Sequence, residues 1–220
     1  MNNGAWADAV ITYFGFIAFV TFHEFAHAWA ADRLGDDTPR SEGRVTLDPL
    51  AHVDLIGTII LPLILLAASA SSGHVMFFGW GKPVMINPNN FRRRRVDDIL
   101  VSVAGPFMNL WLGFVMLGIM KLGTLAGISF FEKDELFHLV GLTLFLCFFN
   151  LLPIPPLDGG HIFRNLIGIS DIAYAQISQY SFLFFILVMR SGAISQGISQ
   201  FTDHVLFFLA GIFGWHLGYD

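Results

Sequence analysis

Apolar residues run through this chain in blocks instead of alternating with polar ones. Four blocks are nearly unbroken, over residues 9–31, 55–70, 99–120 and 136–152, and two weaker ones follow over 174–189 and 205–217. A helix that is apolar on every side is buried on every side, in a core or in lipid. About 20 helical residues cross the roughly 30 Å of bilayer hydrocarbon. The block at 55–70 has 16 residues and rises only about 24 Å as a helix, too little to cross.

The polar residues between the blocks predict a topology. Arg33, Arg40 and Arg44 follow the first block, and Arg92, Arg93, Arg94 and Arg95 precede the third. Basic loops stay cytoplasmic, so the first block is expected to end, and the third to begin, on the cytoplasmic side. Only the short block 55–70 separates the two, and a full crossing there would carry four arginines outside. The stretch that follows, HVMFFGWGKPVMI over 74–86, has two β-leaning runs around Gly79, Trp80 and Gly81. It is expected to dip back as an extended ribbon, which membrane depth tolerates only beside protein or a wet cavity. A full crossing with an atypical loop is the alternative. The arginine run also suits anionic lipid headgroups. The acidic group Glu132, Asp134 and Glu135 then falls outside, and the fourth block returns to the cytoplasm at Pro153. The opening residues carry Asp8 and no Lys or Arg, so the first block reads as a retained helix and not a signal peptide.

Composition narrows the class. The chain has 220 residues, 55% hydrophobic and 13% charged, with 24 Phe and a mean hydropathy of +0.63. A soluble domain averages about 25% charged, and one core of this size could not hide so much apolar surface. The same numbers exclude disorder. An all-α polytopic membrane protein is expected, with five or six transmembrane helices and a re-entrant β-ribbon. It reads as one domain over 1–220, its core over 9–167 and further C-terminal membrane helices over 171–220. The net charge of -5 argues against a nucleic-acid partner. Cys147 is the only cysteine, so no intrachain disulfide forms, and in its apolar run it reads as a small buried hydrophobe.

The first block holds the candidate chemistry: His23-Glu24-Phe25-Ala26-His27. Histidines at i and i+4 share a helix face and can chelate one metal ion, with Glu24 beside that face as a base. Each ionisable group near a bilayer centre costs about 2.5–3.5 kcal/mol on insertion scales, and a bound cation would compensate. A hydrogen-bonded interfacial cluster is the structural alternative. A third ligand could come from Asp158 in Asn150-Leu-Leu-Pro-Ile-Pro-Pro-Leu-Asp158-Gly159-Gly160, where the prolines must end a helix. Spacing alone leaves two readings of Asp158 open: a metal ligand, or the N-cap of a short helix over 161–167. Likewise His52 either faces the site or is an interfacial histidine, and His161 reads as a neighbour of the site more than a ligand.

HEFAH in an apolar block, AGPFMN over 104–109 in a later one and FNLLPIPPLDGG closing another together resemble the site-2 protease family of intramembrane zinc metalloproteases. The resemblance covers about residues 17–167. It implies one zinc per chain held by His23, His27 and Asp158, with Glu24 as general base. It also implies Asn150 as a residue that holds the substrate or its oxyanion, and the ribbon near Gly79 as a substrate-contacting element. A membrane-anchored protein or peptide would be the substrate, cleaved near the cytoplasmic face of what is expected to be a bacterial cell membrane. The chain would be a compact form, without room for the PDZ-like or CBS domains of some relatives. Gly105 and Asn109 fit the family pattern, and helix packing with an interhelical hydrogen bond explains them as well. Two rival functions are a membrane metal transporter, which leaves the LDGG turn unexplained, and a catalytically silent binding protein, which would be expected to have lost motif residues.

Overall fold

The computed structural model describes residues 3–72, 79–132, 134–181, 183, 187, 190–215 and 217, and among these it is helical with no strand. Helix α1 runs over Asn3–Leu34. A π-helical turn, Leu55–Ile60, opens α2 at Leu61–Ser72. Then come α3 over Arg94–Leu125, α4 over Asp134–Asn150, α5 over Asp158–Ile167, α6 over Asp171–Ser178 and α7 over Gly192–Ile212. By length and composition, Asp8–Leu34 and Arg94–Leu125 can each cross a membrane, whereas the apolar helix Leu55–Leu65 is shorter, as the 16-residue block implies. Phe14 on α1 and Phe107 and Trp111 on α3 stand exposed, an apolar outer surface suited to lipid.

The long helix α3 is the centre of the molecule and packs against α1, α4 and α5. Leu117 and Met120 of α3, Val140 and Leu144 of α4, and Leu206 and Ala210 of α7 make one buried cluster. Ala31 at the end of α1 meets Val101 at the start of α3 and Phe91 in a second. These contacts set α1 and α3 side by side at the depth where the histidines lie.

Residues 79–87 carry no regular secondary structure, yet they are tied along their length. The N–H groups of Trp80 and Lys82 donate to the carbonyls of Gly57 (3.1 Å) and His52 (2.8 Å), and that of Val84 donates to the Glu24 carboxylate (3.1 Å). The Thr58 hydroxyl donates to the Trp80 carbonyl at 2.7 Å, and the buried Arg44 guanidinium bonds the carbonyls of Ala51 and Lys82. Alternate N–H groups turned to one side mark an extended run. The first part of the expected ribbon, 74–78, lies outside the described residues, and the described part pairs with no described strand.

Asp36, fully buried just past α1, anchors the end of this run. It accepts hydrogen bonds from the Asn87 N–H (2.7 Å), the Asn90 amide (2.8 Å), and the Thr38 hydroxyl (2.6 Å) and N–H (3.2 Å). Burial raises its carboxyl, but the hydrogen bonds outweigh it and hold Asp36 below the usual carboxylate range. The resulting stabilisation is full above the unfolded value of about 3.9 and is lost as pH falls through the depressed folded value. Asp36→Ala, which strands several donors, is expected to cost about 2–4 kcal/mol and to open residues 79–90 to limited proteolysis; unchanged cleavage there would refute the anchor.

Candidate metal centre

The site joins two distant stretches of chain. His23 and His27 lie one turn apart on α1, both buried. Helix α4 stops after Asn150, because Pro153, Pro155 and Pro156 cannot continue it, and the chain folds back into α5. Gly159 permits the fold-back, since a Cβ there would run into the carbonyls of Leu151 and Leu152. The N-cap position of α5 is Leu157, with no side-chain cap bond, and Asp158 is the first helical residue. Of the two readings left open for Asp158, the capping one therefore fails: its carboxylate faces the histidines instead.

His23 Nε2 lies 3.1 Å from one Asp158 carboxylate oxygen, and His27 Nε2 lies 3.3 Å from the other. The two Nε2 atoms are 3.0 Å apart. Among the described residues these three form the group whose donor atoms could hold a metal ion. A tetrahedral zinc with ligands near 2.0–2.1 Å sets its donor atoms about 3.3 Å apart, so two imidazoles and a carboxylate at these separations fit the ion. One proton between the two Nε2 atoms would let one ring donate to the other; a cation shared with Asp158 would instead engage both nitrogen lone pairs and the carboxylate together.

The surroundings hold these groups in place. The His27 Nδ1–H donates to the Val101 carbonyl of α3 at 2.7 Å. The Asn109 amide, also on α3, lies 3.2 Å from His23 Nδ1. Between them, Gly105 leaves the space that both imidazoles occupy, because a Cβ there would collide with each ring. Helix α5 is fastened to α3 by the buried pair Arg164–Asp98 (2.8 Å) and by the Asn165 amide donating to Asp98 (2.7 Å). The Arg164 guanidinium also stacks over the Tyr174 ring at 4.9 Å. Asp158 is thereby held against α1.

The other candidate residues fall around this centre. Glu24 follows His23 about 100° around the helix, and its carboxylate accepts the Val84 N–H. Asn150 turns its amide back to donate to the Leu146 carbonyl at 2.8 Å, with no bond to the three converging groups. His52 is buried outside the cluster, its Nε2–H donating to the Thr46 carbonyl at 2.8 Å, and burial pushes its imidazole below the usual value. His161 lies edge-on to the Tyr174 ring at 5.0 Å and does not join the cluster. The sequence reading did not find the Arg164–Asp98 fastening or the Glu24–Val84 bond, since neither has a spacing signature. Gly105 and Asn109 did carry a signal, four residues apart on one helix face.

Adding one carbon at Gly105 is expected to force the rings apart. Gly105→Ala should keep its helix content by circular dichroism and lose about 10-fold or more in Zn2+ affinity, by analogy with mutations beside metal ligands. Unchanged affinity would show that this contact does not shape the cluster.

Comparison with known proteins accords with this geometry. A model of peptidase family M50 matches residues 132–189, the stretch that holds Asn150 and Asp158. The chain is 38% identical over 179 residues to a Bacillus subtilis protein named "Putative zinc metalloprotease YwhC", covering 78% of this chain and 76% of that one. It is 28% identical over 195 residues to the Mycolicibacterium smegmatis protein of the same description named Rip2, covering 85% and 69%. Against the Rip2 protein of Mycobacterium tuberculosis strain H37Rv the figure is 29% over 212 residues, covering 92% and 75%. No solved structure matches the chain. With its histidine pair and its LDGG aspartate facing each other across α1 and α5, the chain belongs to peptidase family M50, the site-2 protease family of zinc metalloproteases.

Proposed function

We propose that this chain hydrolyses a peptide bond within or near the transmembrane segment of a membrane-anchored substrate, close to the cytoplasmic face of a bacterial cell membrane. The observation that carries the reading is the convergence of His23, His27 and Asp158 at 3.0–3.3 Å, with Glu24 adjoining. His23, His27 and Asp158 would hold one zinc ion. When bound there, the ion would supply Lewis-acid polarisation of the scissile carbonyl and acidification of a water toward a pKa of about 7. Glu24 takes a proton from the attacking water as the C–O bond forms, and then delivers it to the amide nitrogen, so that the C–N bond breaks with the amine as leaving group. Asn150, at the end of α4, swings its amide from Leu146 to donate to the carbonyl oxygen as negative charge develops there.

A helical substrate hides its scissile carbonyl in its own hydrogen bonds, so it must be locally extended before hydrolysis. The extended run 79–87 beside Glu24 offers an edge for strand addition. Since the Val84 N–H already bonds Glu24, a substrate carbonyl at that position would take over the N–H and leave the carboxylate for its role as base. The cytoplasmic orientation rests on the arginines at 33, 40, 44 and 92–95. Five or six spans in one domain over 1–220, with the core at 9–167, complete the reading.

The test compares purified wild type with Glu24→Gln on a detergent-solubilised single-span fusion reporter. Glu24→Gln is expected to keep its zinc while turnover falls by about 100-fold or more. Wild-type turnover in the variant would overturn the assignment of the base.

A further inference from the structure

Asn109 is a costly residue for its position. It lies in the middle of the apolar helix α3 and is 1% exposed. A buried amide is tolerated when it is hydrogen-bonded. Its side chain meets His23 Nδ1 at 3.2 Å, while its own carbonyl oxygen Oδ1 is buried with no partner among the described residues. Its backbone is fixed from the other side, where the Thr143 hydroxyl of α4 donates to the Asn109 carbonyl at 3.1 Å.

The positions Val101, Gly105 and Asn109 are spaced by four and form one stripe of α3 against α1. The stripe serves the two histidines in opposite order, Val101 beside His27 and Asn109 beside His23, with Gly105 against both rings. A histidine that gives Nε2 to a metal carries its proton on Nδ1, and an acceptor there fixes both tautomer and ring orientation. For His27 that acceptor is the Val101 carbonyl. For His23 the group in place is the Asn109 amide. A half-turn of this amide exchanges its oxygen and nitrogen with little change of shape. The exchange trades an unpaired oxygen for an unpaired N–H, so the choice is set by His23, which needs an acceptor once its Nε2 is a ligand.

We propose that Asn109 is a positioning residue for the metal centre: its side-chain oxygen accepts the His23 Nδ1–H and so presents the Nε2 lone pair to the site shared with His27 and Asp158. This rests on the ligand assignment above and extends it to a residue that touches neither metal nor substrate.

The test measures Zn2+ dissociation constants by chelator competition on the full chain in detergent, for wild type, Asn109→Leu and Asn109→Asp. Leucine has the same branched heavy-atom skeleton as asparagine but more bulk, and removes the acceptor; aspartate keeps both the shape and an acceptor. Asn109→Leu is expected to bind Zn2+ about 10- to 100-fold more weakly, and Asn109→Asp to stay within about threefold of wild type. Because leucine also adds bulk, the smaller Asn109→Ala is measured beside it. A comparable loss in the larger and the smaller apolar residue, with retention in aspartate, is the mark of the acceptor, whereas retention in Asn109→Ala would show that leucine acts by overpacking. Wild-type affinity in Asn109→Leu, or an equal loss in Asn109→Asp, would overturn the inference while the ligand assignment stood. Absence of Zn2+ binding in the wild type would overturn the ligand assignment, and this inference with it.

Discussion

Three ionisable side chains meet inside an apolar bundle, and the cost of burying them without a partner governs the structure around them. Asp158 lies more than 130 residues from His23 and His27 in sequence, yet one of its carboxylate oxygens approaches each imidazole to 3.1–3.3 Å. Isolated, each would carry a desolvation cost of several kcal/mol. Together around a divalent cation they would offset it, and separations of 3.0–3.3 Å suit the ligands of a tetrahedral zinc. Much of the rest of the fold serves to keep the three in register.

That service is divided between two long-range restraints. Helix α3 reads the histidines from behind, through the Val101 carbonyl, the gap at Gly105 and the Asn109 amide. Its N-terminal part also holds α5 through Asp98, Arg164 and Asn165, which sets Asp158 beside the histidines. Both halves of the site are thus referred to one rigid helix, an arrangement suited to a centre that must hold its geometry within fractions of an ångström. The extended run 79–87 is referred to the same frame by Asp36 at one end and by the Gly57 and His52 carbonyls at the other, with the Glu24 carboxylate between.

How much of this was legible in the sequence follows from which forces act locally. Helices α1 and α3 and the fold-back after Asn150 were readable, because apolar runs, prolines and glycines act through the backbone over a few residues. The histidine pair was readable for the same reason, since a spacing of four fixes a shared face. Whether Asp158 capped a helix or faced the histidines could not be read from spacing, because both readings place an aspartate at the start of a helix; only the tertiary approach of α5 to α1 separates them. The fastening of Arg164 to Asp98, 66 residues apart, and the bond from Val84 to Glu24, 60 apart, left no periodic trace. Asn109 was visible as a polar residue in an apolar helix, but its partner was not.

The most direct test is zinc content per chain in detergent-purified wild type and Asp158→Ala, with helix content checked in both. The arrangement described here predicts about one zinc in the wild type and weakened or lost zinc in the variant, since a distant aspartate completes the histidine pair. Zinc retained at wild-type affinity in Asp158→Ala would contradict it, and would mean that the two stretches meet for a reason other than sharing an ion.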